Sequence, residues 1–333
     1  MFKRIPLLND CMDLGVVIIG RNEGERLRRC LESVSRGAAV VYVDSGSTDG
    51  SAQWARNHGA DVIELNMRIP FTAARARNAG FRRLRAMAPD LPYVQFVDGD
   101  CELTKGWPEH AMSFLDARGD IAVVCGRLRE RYPEQSIYNW LCEREWNRPP
   151  GEVDACGGIA VMRVNALEAV GGFRDNLIAY EEPELCVRLQ AAGYRIWRLD
   201  FEMAVHDAAM THFGQWWRRA LRVGYGVAQC DYLYGATPQR HWVWQSRRAW
   251  LWGVSLPLAC LVIGLAFEPW GWAAWLIFPL QILRQTMRNP GQAKERALLA
   301  LFQLLARFPE ACGQIKFMRD RLFARQARII EYK

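Results

Sequence analysis

No G-x-G-x-x-G fingerprint follows the first apolar run of this 333-residue chain, and no GxxxxGK[ST] phosphate loop occurs in it. The two absences argue against nicotinamide-dependent enzymes and P-loop ATPases, which hold their phosphates on such glycine-rich turns. Cysteine occurs ten times, always singly, with no C-x-x-C pair and no regular spacing. Neither a zinc site nor a disulfide framework is indicated, and a reducing cytosol is the expected setting. The opening run MFKRIPLLNDCMD is too broken for a signal peptide, so none is expected. The formal charge is +7, yet no nucleic-acid motif accompanies it. Nucleic acid is therefore not an expected partner, whereas nucleotide phosphates or an acidic membrane face suit that charge.

What is present most informatively is VQFVDGDCEL, residues 94–103, in which an apolar strand ends in Asp98 and Asp100, one residue apart. Mg²⁺ or Mn²⁺ takes oxygen ligands and commonly reaches a nucleotide through one or two carboxylates plus the substrate's phosphates. An isolated Asp-Gly-Asp is also an ordinary turn, so its neighbours decide. LGVVIIG, AVVYVD, ADVIEL and PYVQFVD read as four buried strands separated by helical stretches, the last helix being FTAARARNAGFRRLRAMA. That alternation predicts an α/β fold with a mostly parallel, Rossmann-like sheet and helices on both faces.

Ligands bind such sheets beyond the carboxyl ends of the strands. Three of those ends are polar here: Arg21, Asn22 and Glu23 after the first strand, Asp44 after the second, and Asp98 with Asp100 after the fourth. Each has a plain structural reading as well, since Asn22 and Ser47 can cap helices and Asp44 can close an Asx turn.

VVIIGRNEGERLRRCLESV, VYVDSGSTDGS, AARARNAG, FVDGDCEL, GGIAVMR and YEEPELCVRLQAAGYRIWRL stand in the order and spacing of the family-2 glycosyltransferases, which the chain resembles over about residues 14–215. The resemblance implies the GT-A fold, an inverting transfer from a nucleotide-diphosphate sugar, and Mg²⁺ or Mn²⁺ as cofactor. It further implies that Asp44 contacts the base and that Asn22, Glu23 and Arg77 line the nucleotide pocket. Asp98 would hold the ribose or metal-bound water, and Asp100 the metal. Gly157 and Gly158 would allow the backbone to approach the donor sugar. Glu182 takes the position of the catalytic base, with Glu181 beside it as the alternative. His206 matches a position at which some relatives ligate the metal, with His212 as its rival. Gln215, Arg218 and Arg219 loosely match the Q-x-x-R-W element of processive synthases, with Arg219 where the Trp would stand, and would face diphosphate or acceptor.

Residues 249–267 contain no charge over nineteen positions, and 270–283 continue for fourteen more. The first run approaches the ~20 residues of a spanning helix, and the second is short for one. Arginines flank both ends (Arg240, Arg247 and Arg248 before, Arg284 and Arg288 after), which by the positive-inside rule keeps both ends cytoplasmic. The expected organisation is a lead-in (1–13), a GT-A domain (14–230) and a helical region (231–333) with a hydrophobic hairpin at 249–283 and an amphipathic, basic tail. The expected place is the cytoplasmic face of the inner membrane, and the expected acceptor a lipid-linked or free saccharide in exopolysaccharide or envelope glycan synthesis. Two rivals stand: a non-catalytic nucleotide-sugar-binding scaffold, and a nucleotidyltransferase, which would need a phosphate-gripping N-terminal loop.

Overall fold

Strand β1 (Leu14–Gly20) has no solvent face: Val16, Val17 and Ile18 are all almost fully buried. A strand apolar on both sides has to be covered on both sides, which parallel strands joined by helices achieve. The computed structural model describes residues 13–34 and 38–331, so the lead-in expected at 1–13 lies outside the described residues except for Asp13. After β1 come α1 (Glu25–Ser33), β2 (Ala39–Asp44), α2 (Ser51–Asn57), β3 (Asp61–Glu64), α3 (Ala73–Met87) and β4 (Tyr93–Asp98). Their strands lie in the order β3-β2-β1-β4 and all pair in parallel. The order reverses between β1 and β4, which opens a crevice at their carboxyl ends.

Helix α3 starts where Thr72 Oγ1 accepts the Arg75 N–H at 3.0 Å, a side-chain N-cap. It lies directly on β1, because a Cβ on Gly80 would stand 2.4 Å from Val17 Cγ1 and one on Gly15 2.4 Å from Leu84 Cδ2. Helix and strand run in opposite directions through these contacts, so Arg77, one turn before Gly80, is carried toward the carboxyl end of β1.

The sheet continues with β5 (Cys101–Leu103), β6 (Ile121–Glu130), β7 (Gly151–Glu152), β8 (Ala160–Arg163) and β9 (Arg195–His206), interleaved with α4 (Trp107–Ala117), α5 (Ile137–Trp146), α6 (Val164–Ala169) and α7 (Glu181–Ala191). Beyond β4 the order is β8-β6-β9-β5, with β7 on β9. The expected α/β sheet is present, and beyond β4 it becomes mixed. Only β6–β9 is parallel, while β4–β8, β6–β8, β5–β9 and β7–β9 are antiparallel. The tight turn at Gly99 and Asp100 leads from β4 into β5, which pairs with β9 and not with β4.

The chain divides into two compact units, one ending at Ala209, the other comprising Leu177–Tyr180 and the residues from Met210 on. The second unit holds α8 (Phe213–Tyr234), α9 (Val243–Trp250), α10 (Leu256–Ala266), α11 (Ile277–Arg288), α12 (Ala293–Leu305) and α13 (Arg307–Leu322). Helices α8 and α13 meet backbone to backbone, since a Cβ on Gly224 would lie 2.0 Å from Glu310 O and one on Gly313 2.1 Å from Leu221 O. A π-helical turn (Leu251–Ser255) joins α9 to α10, making one 24-residue helix, Val243–Ala266, long and apolar enough by length and composition to cross a membrane. The return limb is not the single apolar helix its sequence suggests. Trp270–Leu276 winds as 3₁₀ before α11 begins, and a Cβ on Gly271 would lie 2.1 Å from Ile263 O, so the limb folds back tightly onto α10.

Candidate active site

The site assembles in the first unit, from strand ends, two helix starts and one glycine loop. Three polar groups form there.

The first is nucleated by the loops after β1 and β2. Asn22, at φ 54°, accepts the Thr48 N–H on Oδ1 at 2.8 Å, while its own N–H donates to Ser47 Oγ at 2.8 Å. Asp44 is buried, with Oδ1 accepting from Tyr42 Oη at 3.0 Å and Oδ2 from the N–H groups of Gly46 (3.0 Å) and Ser47 (2.8 Å). This is the Asx-turn arrangement, so Asp44 holds its own loop in shape whatever else it contacts. Burial, reinforced by Asp44, pushes the Tyr42 phenol well up, keeping it a donor. Glu23 pairs with Arg26 at 2.8 Å, and its stem lies beside Gly99, where a Cβ would meet Glu23 Cγ at 3.3 Å.

The second group centres on Arg77, almost fully buried on α3. Its Nη1 donates to Glu181 Oε1 at 2.6 Å and its Nη2 to Asp98 Oδ1 at 2.8 Å. Burial opposes the charge on Arg77, but Asp98 and Glu181 outweigh it and hold the guanidinium firmly protonated. Gly158 lies against this pair: a Cβ there would stand 2.8 Å from Arg77 Nη2 and 2.9 Å from Asp98 Oδ2. Only a residue without a side chain lets the backbone come so close. Gly157, at φ 79°, faces open space and is needed for its backbone conformation instead. Glu182, next to Glu181 in the first turn of α7, is half-buried. Burial, then the like charge of Glu181, pushes its carboxyl up to about 7, with Arg77 pulling the other way.

The third group comes from sheet register. His206 is the last residue of β9, paired with Cys101 of β5 on one side and Glu130 of β6 on the other. Its Nε2 lies 3.3 Å from Asp100 Oδ2 and its Nδ1 3.6 Å from Glu130 Oε2, while the Trp146 ring packs edge-on at 4.6 Å. Ligand atoms of Asp100, Cys101 and His206 all lie within 4.8 Å of one another. Burial pushes the Cys101 thiol well up, and its Sγ donates to Asp100 Oδ1 at 3.4 Å. A protonated, soft thiol suits Mg²⁺ or Mn²⁺ poorly, whereas carboxylate and imidazole suit Mn²⁺ well. Asp100 and His206 are therefore the residues whose donor chemistry fits a divalent cation.

Asp98 pairs with Arg77 in the second group and is not among the potential ligands clustered with Asp100 and His206. The structure separates the two candidate histidines: His206 faces Asp100, while His212 caps α8 in the second unit through a reciprocal box with Gln215. Gln215 accepts the N–H groups of Thr211 and His212 at 2.9 Å each, and Arg218 reaches Gly214 O at 3.3 Å, so both have local structural work. Arg219 is on the same helix.

Glu130 went unnoticed in the sequence. It is buried at the end of β6, where Oε2 accepts the Ala208 N–H at 3.2 Å and Oε1 the Tyr132 N–H at 3.3 Å. Its link to His206 spans 76 positions and exists only through strand register, which no local pattern announces.

Comparison with known proteins agrees with this fold. The sequence profile of Glycosyl transferase family 2 matches residues 15–171, and that of Glycosyl transferase family group 2 matches 151–286. Glycosyltransferase AglE of Haloferax volcanii is 25% identical over 92% of this chain and 96% of its own length. An uncharacterised glycosyltransferase of Mycobacterium bovis is 30% identical over 56% of this chain and 82% of its own. The succinoglycan biosynthesis protein ExoA of Rhizobium meliloti is 26% identical over 59% of each chain. Among solved structures, the mannosyltransferase PcManGT of Pyrobaculum calidifontis, in complex with GDP-Man and Mn²⁺, shares the fold with a TM-score of 0.59, at 18% identity over 94% of this chain and 89% of that one.

Proposed function

The chain belongs to glycosyl transferase family 2, and from that membership we propose that it moves a sugar from a nucleoside diphosphate to a hydroxyl acceptor with inversion at the anomeric carbon, assisted by a divalent cation. The observation that carries the reading is the pairing of two charged groups beside the β1/β4 crevice, Arg77 with Asp98 and Glu181, and Asp100 with His206. Asp100 and His206 would hold Mn²⁺ or Mg²⁺, which when bound supplies positive charge to the leaving diphosphate. The Asn22–Thr48 and Asp44–Ser47 contacts would frame the nucleoside, and Gly157 and Gly158 would bring backbone to the donor sugar. The PcManGT complex, which holds GDP-Man and Mn²⁺, supports a nucleotide-sugar donor and divalent metal use.

The choice of base follows from the partners. Glu181 is buried and its Oε1 accepts from Arg77, which draws on its charge. Glu182 is more accessible, and a carboxylate with a pKa near the working pH is best suited to general-base work. The acceptor oxygen bonds to the anomeric carbon, the bond from that carbon to the diphosphate oxygen breaks, and the acceptor's proton passes to Glu182. Residues 14–230 would form the catalytic domain. The helical region 231–333 would associate with the membrane through Val243–Ala266 and its return limb, with the arginine flanks on the cytoplasmic face and a lipid-linked saccharide as acceptor. The likeness to ExoA supports a place in exopolysaccharide or envelope glycan assembly.

The test is calorimetric titration of the full chain in detergent with nucleoside diphosphates, with and without Mn²⁺. Mn²⁺-dependent binding of UDP or GDP is expected and would name the base, whereas no binding of any nucleotide would sink the transferase reading in favour of a scaffold. A narrower check concerns Glu130, whose charge steadies the imidazole that faces Asp100. Glu130→Gln loses the charge and keeps an oxygen acceptor for one of the Ala208 and Tyr132 N–H groups, and Mn²⁺ affinity should fall by about 10–100-fold with an unchanged circular dichroism spectrum. Unaltered Mn²⁺ affinity would leave Glu130 a purely structural residue.

A further inference from the structure

A cleft of about 880 Å³ in the second unit is lined by Arg247 and Arg248 of α9, Arg284 and Arg288 of α11, and the rings of Trp244 and Trp252. No Asp or Glu lines it among the described residues. Among the described residues Arg284 finds the Gln281 amide oxygen, at 3.5 Å. Elsewhere in the unit Arg307 pairs with Glu310 at 2.5 Å and Lys316 with Asp320 at 2.5 Å. The four guanidinium groups line one cleft that holds no carboxylate, although Glu310 acts on Arg248 from outside the lining, so an anion entering among them would be attracted by each. Guanidinium forks match phosphate oxygens two at a time, so the chemistry selects a phosphate, and four of them suit a diphosphate better than a single charge.

The surroundings select an amphiphile. The two limbs that carry these arginines continue into apolar residues left open to the exterior: Leu258, Val262 and Leu265 on one, Leu276 and Leu280 on the other, each more than half exposed. A ligand with a polyanionic head and a long apolar tail would satisfy both parts at once, its head among the arginines and its tail along the limbs. Trp252 stands between the two regions along its helix, where an indole prefers to sit at a lipid–water boundary, and Trp244, 71 % exposed, lies about one turn to the other side of the arginines.

We infer that this cleft binds the diphosphate head of a lipid, and that it is where a lipid-linked acceptor is captured. The second clause rests on the transferase reading above, while the first stands on the cleft alone. Capture here would use Arg247, Arg248, Arg284 and Arg288 as binding groups and none of them as a reactive one.

The test uses the full chain in neutral detergent, titrated with farnesyl diphosphate, farnesol and inorganic diphosphate, for wild type and for the double variant Arg284→Gln/Arg288→Gln. Farnesyl diphosphate should bind wild type, and the variant should lose at least about tenfold in affinity, as expected when two charge-assisted phosphate contacts go. Farnesol and inorganic diphosphate should each bind much more weakly than the compound that joins them. Equal binding of farnesyl diphosphate by the variant would overturn the proposal. So would inorganic diphosphate binding as tightly as the lipid, which would mean a free-anion site. Equal competition by phosphatidylglycerol nanodiscs would overturn it too, by assigning the arginines to bulk anionic lipid. Nucleoside diphosphate binding, measured on the same two proteins, checks the fold. Its absence in wild type would count against the transferase reading alone, and lipid binding would still decide the cleft.

Discussion

Asp100→Ala is expected to abolish Mn²⁺ binding in an electron paramagnetic resonance titration and to lower the transfer rate by about 10³-fold, since cation stabilisation of a leaving diphosphate is worth several kcal/mol and each 1.36 kcal/mol is tenfold. The size of the effect follows from how few donors the centre has. Asp100 Oδ2 and His206 Nε2 face each other at 3.3 Å, and the third potential ligand grouped with them among the described residues, Cys101 Sγ, is a buried thiol that donates to Asp100 Oδ1. Removing the carboxylate leaves one imidazole, too little to hold a hard cation. The fold should survive, because the Asp100 contact that matters to the sheet is its carbonyl, which accepts the Asp207 N–H at 3.0 Å and is unaffected by the side chain. Nucleoside diphosphate affinity should drop to the value wild type shows without metal. Wild-type Mn²⁺ binding by the variant would place the ion elsewhere and remove Asp100 and His206 from the mechanism.

The second large effect belongs to Glu182. Glu182→Gln should lower kcat by about 10²–10⁴-fold, the usual contribution of a general base, while donor affinity stays close to wild type. The wild-type pH profile carries the signature. With the carboxyl pushed up to about 7, chiefly by burial and then by Glu181, the group is protonated and inactive as a base at lower pH. The rate should therefore fall roughly tenfold per unit below that pKa and level off above it. Glu181→Gln removes the neighbouring like charge, so its residual activity should show the limb displaced to lower pH. If instead Glu182→Gln keeps full activity and Glu181→Gln is dead with no pH limb, the base is Glu181 and the partner argument fails.

Much of the first unit was legible in the chain. The runs at β1, β2 and β4 are apolar because they are covered on both faces, and a pattern imposed by burial survives in the sequence; β3, at the sheet edge, is only partly buried. The DGD turn could be read for the same reason: two acids directly after a buried strand are conspicuous without coordinates. The antiparallel half of the sheet was less legible. Strands β5, β7 and β8 span 3, 2 and 4 residues, too few to show any periodicity. In the second unit the apolar run of Val243–Ala266 announced its helix, whereas the 3₁₀ turn at Trp270–Leu276 depends on packing against α10.

By itself the sequence determined the strand and helix order of the parallel half, the family, and the residue types at each strand end, because local pattern and short motifs encode these directly. Which of those residues act together was decided only in three dimensions. Arg77 and Glu181 are 104 positions apart, as local pattern cannot show, and their bond is what leaves Glu182 as the freer acid. His206 meets Asp100 and Glu130 only because three strands end in register, and the four arginines of the second unit share one cleft only because two limbs fold back on each other. Charges distant in sequence acquire their function from the partners that burial and register force on them, and partnership of that kind is a property of the folded chain.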